Sequence, residues 1–244
     1  MRNRDVRAAT ARPRLRRLEG SANGAVRWHR LDAYFWLKRS LDFALSLSAL
    51  VLFCPLFLVI ALLIQLDSPG PAIFAQKRMG YDWRRRRQRP FVLYKFRSMY
   101  HNSDQGVHQR RIRAWIRGGT GDACHAPVVA LVRDVRVTRV GRFLRKTSLD
   151  ELPQLWNVLK GEMSLVGPRP VPLYEVAEYD AWQRRRLETI PGLTGLWQVA
   201  GRKLTTPDEM ARLDIQYIEN RSLWLDLWIL FRTVPSVVSG RGAG

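Results

Sequence analysis

The sequence predicts an α+β chain that is mostly helical, with a re-entrant membrane helix over 38–67 and a cytosolic domain over 68–244 that carries a small β element. Three observations lead there. Phe43 to Leu66 reads FALSLSALVLFCPLFLVIALLIQL, 24 residues without a charge. Basic residues crowd both sides of that run. Beyond it, short alternating stretches give way to segments whose apolar residues recur at helical spacing.

The first 37 residues are rich in Arg, Gly, Ser and Asn and predict a basic, disordered arm held against anionic membrane lipids. The apolar run that follows exceeds the ~20 residues a helix needs to reach across a hydrocarbon core. It starts too late and runs too long for a signal peptide. Eleven basic residues from Arg2 to Arg39 precede it, and Lys77, Arg78 and Arg84 to Arg87 follow it. Cytoplasmic flanks are the Lys/Arg-rich ones, so both ends ask for the same side. A helix that enters and turns back satisfies that demand. Pro55, midway along, lacks the amide donor a continuous helix requires and marks the break. Ser46 and Ser48 can satisfy backbone groups freed there. A kinked ordinary span is the alternative.

The net charge is +20, and 35 of the 41 basic residues are arginine. Such an excess suits nucleic acid, anionic lipid or phosphorylated substrates. No nucleic-acid-binding motif appears, so no nucleic-acid partner is expected. Two cysteines give no disulfide framework and fit a reducing compartment. Cys124-His125 has no partners at zinc-ligand spacing.

In chain order, Pro-Gly-Pro at 69–71 is a turn and AIFAQ after it a strand. WRRRRQRP (83–90) is a charge run, and FVLYKFRSM (91–99) alternates like a strand with Lys95 and Arg97 on one face. Residues 100–127 are polar and Gly-rich and predict a mobile loop. VRVTRVGRFLRK (135–146) leads into a short helix. Another starts near Ser148, where Leu149, Leu152, Leu155, Trp156 and Leu159 share a face. Residues 174–190 predict a charged helix, and PGLTGLWQVAGR (191–202) a loop or strand. Residues 207–221 open with a helix-start signature. Residues 222–238, apolar nearly all round, are a core helix or an interfacial one.

Asp150 and Glu151 pose the central question. Ser148-x-x-Glu151 matches a capping box, and acidic residues suit a first helical turn, so capping alone accounts for both. Basic residues nevertheless bracket the pair: Arg142, Arg145 and Lys146 before, Lys160 and Arg169 after. Arginine forks suit bidentate phosphate contacts. A carboxylate approaching a diphosphate meets a like charge worth about 4 kcal/mol per pair at 4 Å and an effective dielectric near 20. Cations, and a divalent metal of the Mg²⁺ kind, must offset that.

YKFRSM, RFLRKTSLDELPQLWNVLKGEMSLVGPRP, PGLTGLWQVAGR and SLWLDLWILFRTV, in this order, resemble the bacterial sugar transferase family, the monotopic phosphoglycosyl transferases. The resemblance covers about 38–244. It implies a catalytic domain on the cytoplasmic face of the bacterial inner membrane. It also implies transfer of sugar 1-phosphate from a UDP-sugar to undecaprenyl phosphate with release of UMP, starting exopolysaccharide, capsule or O-antigen assembly. By that likeness Asp150 is the nucleophile and a ligand of Mg²⁺, and Glu151 handles the lipid phosphate. Arg145 orients the pair, Lys95 and Arg169 lie near the phosphate and metal, and Pro55 breaks the membrane helix; from the strand face and the basic bracket, Arg97 and Arg145 are expected at the phosphates as well. Departures are a hairpin segment, WRRRRQRP, more basic than the family's usual linker, and Val135 where proline is common. A non-catalytic basic membrane scaffold and a nucleic-acid-binding protein are the rivals. The transferred sugar, whose recognition is expected in 100–130 and 191–202, and a homodimer both stay open.

Overall fold

The apolar run forms two helices rather than one, and proline sets the joint. A computed structural model describes residues 23–103, 106, 109, 112, 113, 116, 134–200 and 206–238, by backbone alone for 23–31 and 236–238. Helix α1 spans Asn23–Leu52 and α2 spans Cys54–Asp67. Pro55 occupies the first turn of α2, where an amide would lack an intrahelical partner in any case. The stretches Asp32–Leu52 and Cys54–Asp67 are bent by 62°, and only the pair, not either helix alone, is long and apolar enough for a membrane. The chain divides into two units, Met1–Tyr34 and Phe35–Gly244. Residues 23–37, expected in a disordered arm, are helical.

From Phe35 onward α1 inverts the usual amphipathic rule. Phe35, Lys38, Asp42 and Ser46 form its buried stripe, while Leu37, Leu41, Phe43, Leu45 and Leu47 are exposed. The polar side is satisfied inside. Lys38 pairs with Asp226 at 2.8 Å, and Asp42 accepts the Leu165 amide at 3.0 Å. Arg39 donates to the carbonyls of Val158 and Leu159. On α2, Leu58, Val59, Leu62, Leu63 and Leu66 are likewise exposed. An apolar face this continuous marks a contact with lipid or a partner.

Strands β1 (Ile73–Asp82) and β2 (Arg87–Phe96) pair antiparallel from Ile73↔Phe96 to Asp82↔Arg87. Both are longer than the alternation predicts, because the Asp82 carboxylate accepts the Arg84 and Arg85 amides at 3.1 Å and folds the charge run into a turn. Helix α3 spans Arg139–Thr147, a 3₁₀ turn Leu149–Glu151, and α4 Gln154–Lys160. Strand β3 (Ser164–Val166) pairs parallel with β4 (Gly192–Thr194). Between them lie α5 (Leu173–Val176) and a 3₁₀ turn Gln183–Leu187, and α6 (Leu196–Ala200), α7 (Pro207–Asn220) and α8 (Leu223–Val238) follow.

Several boundaries differ from expectation. The segment 174–190 holds only short helical pieces, and PGLTGLWQVAGR splits into β4 and α6, its last two residues lying outside the described ones. Of the loop expected at 100–127, residues 106, 109, 112, 113 and 116 are helical, and Cys124-His125 lies outside the described residues. Helix α7 starts as read, with a capping box between Thr206 and Glu209. Helix α8 has a core side and an exposed apolar side: Ile229 and Asp226 are buried, while Trp224 and Phe231 point outward.

One core cluster positions the site. Ile60 and Ile64 of α2 pack with Phe96 and Leu144, with Leu149 and Leu152 against them. The rings of Phe57 and Phe96 lie 5.3 Å apart. The 3₁₀ turn carrying Asp150 therefore rests on the apolar α2.

Candidate active site

Ser148 settles the capping question. It adopts φ 57°, ψ 16°, the left-handed conformation that ends α3, and its side chain caps nothing. Its amide closes on the Arg145 carbonyl at 3.2 Å. Leu149–Glu151 then form their own 3₁₀ turn, and α4 begins only at Gln154. The predicted capping box is absent because Ser148 terminates one helix instead of starting the next. Glu151 turns instead to Arg169, 2.6 Å away.

Asp150 is 8 % exposed. No hydrogen bond to it occurs among the described residues, and the groups acting on its charge are Glu151, Lys95, Arg145 and Arg169. Burial first, then the Glu151 charge, push its pKa up to about 6, against the pull of the three cations. Burial lowers the Lys95 pKa to about 8, with Arg78 adding repulsion and Asp150 opposing both. Glu151 raises the Arg169 pKa. The arrangement is a buried carboxylate whose pKa is raised toward the neutral range, ringed by cations.

Each cation is placed by its element. Lys95 comes from the last turns of β2, which packs on the 3₁₀ turn. Arg145, in the last turn of α3, is tied by its Nε to Ser98 Oγ at 2.8 Å. Arg169 lies in Gly167-Pro168-Arg169-Pro170 after β3. That loop is clamped by the segment around β4: Gly167 N donates to Thr194 O and Gly192 N to Pro168 O, both at 2.8 Å. A Cβ on Gly192 would strike the Gly167 backbone, so only glycine allows the approach. On its other side the loop meets β1, where Met79 N donates to Val171 O at 2.9 Å.

Arg97 is put to a different use from the one expected. The strand stops at Phe96, and the Arg97 guanidinium turns to the end of α2, donating to Ser68 O at 2.7 Å, Ile64 O at 3.3 Å and Pro69 O. Carbonyls at a helix C-terminus lack intrahelical partners, and a forked cation satisfies several at once. Arg97 thus closes the end of α2, and of the two only Lys95 is among the charges that act on Asp150.

Sequence reasoning missed Arg78 and Glu175. Arg78 donates to Pro170 O at 3.1 Å and Gln76 Oε1 at 2.6 Å, and leaves its Nε without a partner. Its charge acts on Glu175, Arg169, Tyr174 and Glu151. Burial raises the Glu175 pKa against Arg78 and Arg186. Alternation along QKRMG, which sets Gln76 and Arg78 on one face, was the available signal.

A carboxylate dyad set in cations, on a small α+β domain seated on a broken apolar helix, defines the class of protein. The family model described as bacterial sugar transferase matches residues 33–240. The chain belongs to that family. It is 40% identical over 216 residues to the UDP-N-acetylgalactosamine-undecaprenyl-phosphate N-acetylgalactosaminephosphotransferase of Aeromonas hydrophila, covering 86% of this chain and 45% of the relative. It is 41% identical over 208 residues to the undecaprenyl-phosphate galactose phosphotransferase of Salmonella typhimurium, covering 85% and 42%. To the exopolysaccharide production protein ExoY of Rhizobium meliloti it is 41% identical over 206 residues, covering 84% and 87%. The chain thus spans less than half of the first two and most of the third.

Proposed function

We propose that the chain transfers a sugar 1-phosphate from a UDP-sugar to undecaprenyl phosphate on the cytoplasmic face of the bacterial inner membrane, releasing UMP and starting an exopolysaccharide-, capsule- or O-antigen-type glycan. Membership of the sugar transferase family and the relatives' names support this. The observation that carries it is the buried Asp150, placed among Lys95, Arg145 and Arg169 on top of α2.

In the first step an Asp150 oxygen attacks the β-phosphorus. An Asp–O–P bond forms, the diphosphate P–O bond breaks, and UMP leaves with the electron pair. In the second, an oxygen of undecaprenyl phosphate attacks the same phosphorus, the bond to Asp150 breaks, and the carboxylate is regenerated. Glu151, oriented by Arg169, positions the lipid phosphate and takes its proton. Lys95, Arg145 and Arg169 offset the phosphate charge that both carboxylates repel. The re-entrant geometry of α1 and α2 would keep the dyad at the headgroup level, where a polyprenyl phosphate presents its head.

Among the described residues no three His, Cys, Asp or Glu side chains gather as a metal cage. Asp150 and Glu151 fit the mode in which magnesium takes one or two carboxylates and completes its shell with water and substrate phosphate. A magnesium ion held there by Asp150 would supply further charge neutralisation at the diphosphate.

The test is UMP release from a panel of UDP-sugars with undecaprenyl phosphate and Mg²⁺. One sugar should turn over, and Asp150→Asn should lower kcat by at least about a thousandfold. Unchanged turnover in that variant removes the nucleophile assignment.

A further inference from the structure

The turn between β1 and β2 is the most basic surface segment described and takes no part in the site. Arg84, Arg85, Arg86, Arg87 and Arg89 are all exposed. The one acid in the turn, Asp82, is occupied with the Arg84 and Arg85 amides. Among the described residues no ion pair is found for Arg84, Arg85, Arg87 or Arg89. The turn is not loose: it is bolted to the start of the membrane helix. The Trp83 ring stacks on Phe35 at 5.4 Å and 18°, and meets Trp36 edge-on at 5.2 Å and 89°. The Arg84 guanidinium lies over both indoles, 4.8 Å from Trp36 and 5.5 Å from Trp83.

Trp36 is half exposed and continuous with the outward face of Leu37, Leu41 and Phe43. Tryptophans collect at the headgroup level, with the acyl region to one side and the anionic surface to the other. Arginines just beyond such a girdle lie within a Debye length of that surface. The donor's phosphates are too far away to be the target. Arg87 stands eight residues before Lys95 on β2, about 26 Å along the strand.

From this placement we infer that the β1–β2 turn is a clamp for anionic lipid headgroups, with Trp83 and Trp36 as its interfacial girdle and Arg84, Arg85, Arg87 and Arg89 as its charged grip. It fixes the hairpin against the bilayer at the end opposite Lys95, and so sets the tilt of the strand that carries Lys95. The inference rests on the membrane reading proposed above.

The full chain, with Cys54 and Cys124 replaced and Gln88→Cys carrying an environment-sensitive dye, is placed in nanodiscs of phosphatidylcholine with increasing phosphatidylglycerol, containing a headgroup-level quencher. Quenching should rise with the anionic lipid and fall with salt. Arg85→Gln should raise the phosphatidylglycerol fraction at half-maximal quenching several-fold. The variant with all four arginines changed to glutamine should lose the dependence, yet keep UMP release within about twofold in neutral discs. Quenching indifferent to lipid charge, with UMP release intact, overturns the clamp and leaves the membrane reading standing. A dye protected by RNA rather than by phosphatidylglycerol also overturns it. A chain that leaves the disc fraction altogether fails the membrane reading itself, and this inference with it.

Discussion

At Asp150 the site gives up stability for reactivity. Its pKa rises from 3.8 to about 6 on folding, so between those values the native state holds more protons than the unfolded chain. The contribution to stability is therefore largest at low pH and falls as pH rises through about 6. Lys95 behaves in the mirror sense: folding lowers its pKa from 10.5 to about 8, and stability from this group rises between those values. The proposed reaction needs Asp150 charged and Lys95 charged. For the free enzyme kcat/KM should rise through about pH 6 and fall through about pH 8. Lys95→Arg, which keeps its proton throughout, should carry lower activity but lose the alkaline limb. An alkaline limb that stays at the same pH in that variant assigns it to another group. Asp150→Asn should unfold at a higher temperature than the parent above pH 7, by the equivalent of about 3 kcal/mol.

Gly141 shows how tightly the cations are placed. A Cβ there would run into the Ser98 carbonyl, a backbone group that cannot swing aside. Ser98 also receives Arg145 Nε and, through its carbonyl, the Thr138 amide at 3.2 Å. Gly141→Ala should therefore cost about 1–3 kcal/mol and lower kcat, since Arg145 moves with Ser98. Denaturant unfolding and UMP release measure the two effects separately.

Among the elements, the end of α2 depends most on one side chain. Arg97 serves three carbonyls at the end of α2, and a lysine offers no fork to do so. Arg97→Lys should destabilise by about 2–3 kcal/mol through unsatisfied buried carbonyls, while KM for the UDP-sugar stays close to that of the parent. A large rise in KM with unchanged stability would return Arg97 to the phosphates. Elements with strong local signals were legible in the sequence: the apolar run, the helix break at Pro55, the α7 cap and the two hairpin strands. Those whose limits come from tertiary contacts were not. Ser148 carries a capping-box pattern, but the left-handed end of α3 and the pull of Arg169 on Glu151 override it. Arg97 shares a strand pattern with Lys95, yet an orphaned helix end about thirty residues earlier in the chain claims it. Arg78 drew no notice because its partners, Pro170 and Glu175, are about a hundred residues away.

From Phe35 onward the chain is a broken apolar helix whose polar underside faces the domain that carries the site. Lys38, Arg39 and Asp42 fasten that underside to α8, α4 and β3, so the helix and the dyad share one frame. The Lys38–Asp226 pair is buried, and Asp226 also accepts the Tyr217 hydroxyl at 2.7 Å. Such a frame suits chemistry in which one reactant is dissolved and the other is held by a lipid tail. In the proposed mechanism residue 150 becomes covalently loaded before the lipid arrives. The most direct measurement mixes the purified protein with its UDP-sugar and Mg²⁺ in the absence of any polyprenyl phosphate. One equivalent of UMP should appear in a burst, with a sugar-phosphate mass gain on the peptide containing Asp150, discharged when undecaprenyl phosphate is added. UMP that appears only with the lipid present, with no adduct at any time, would contradict it.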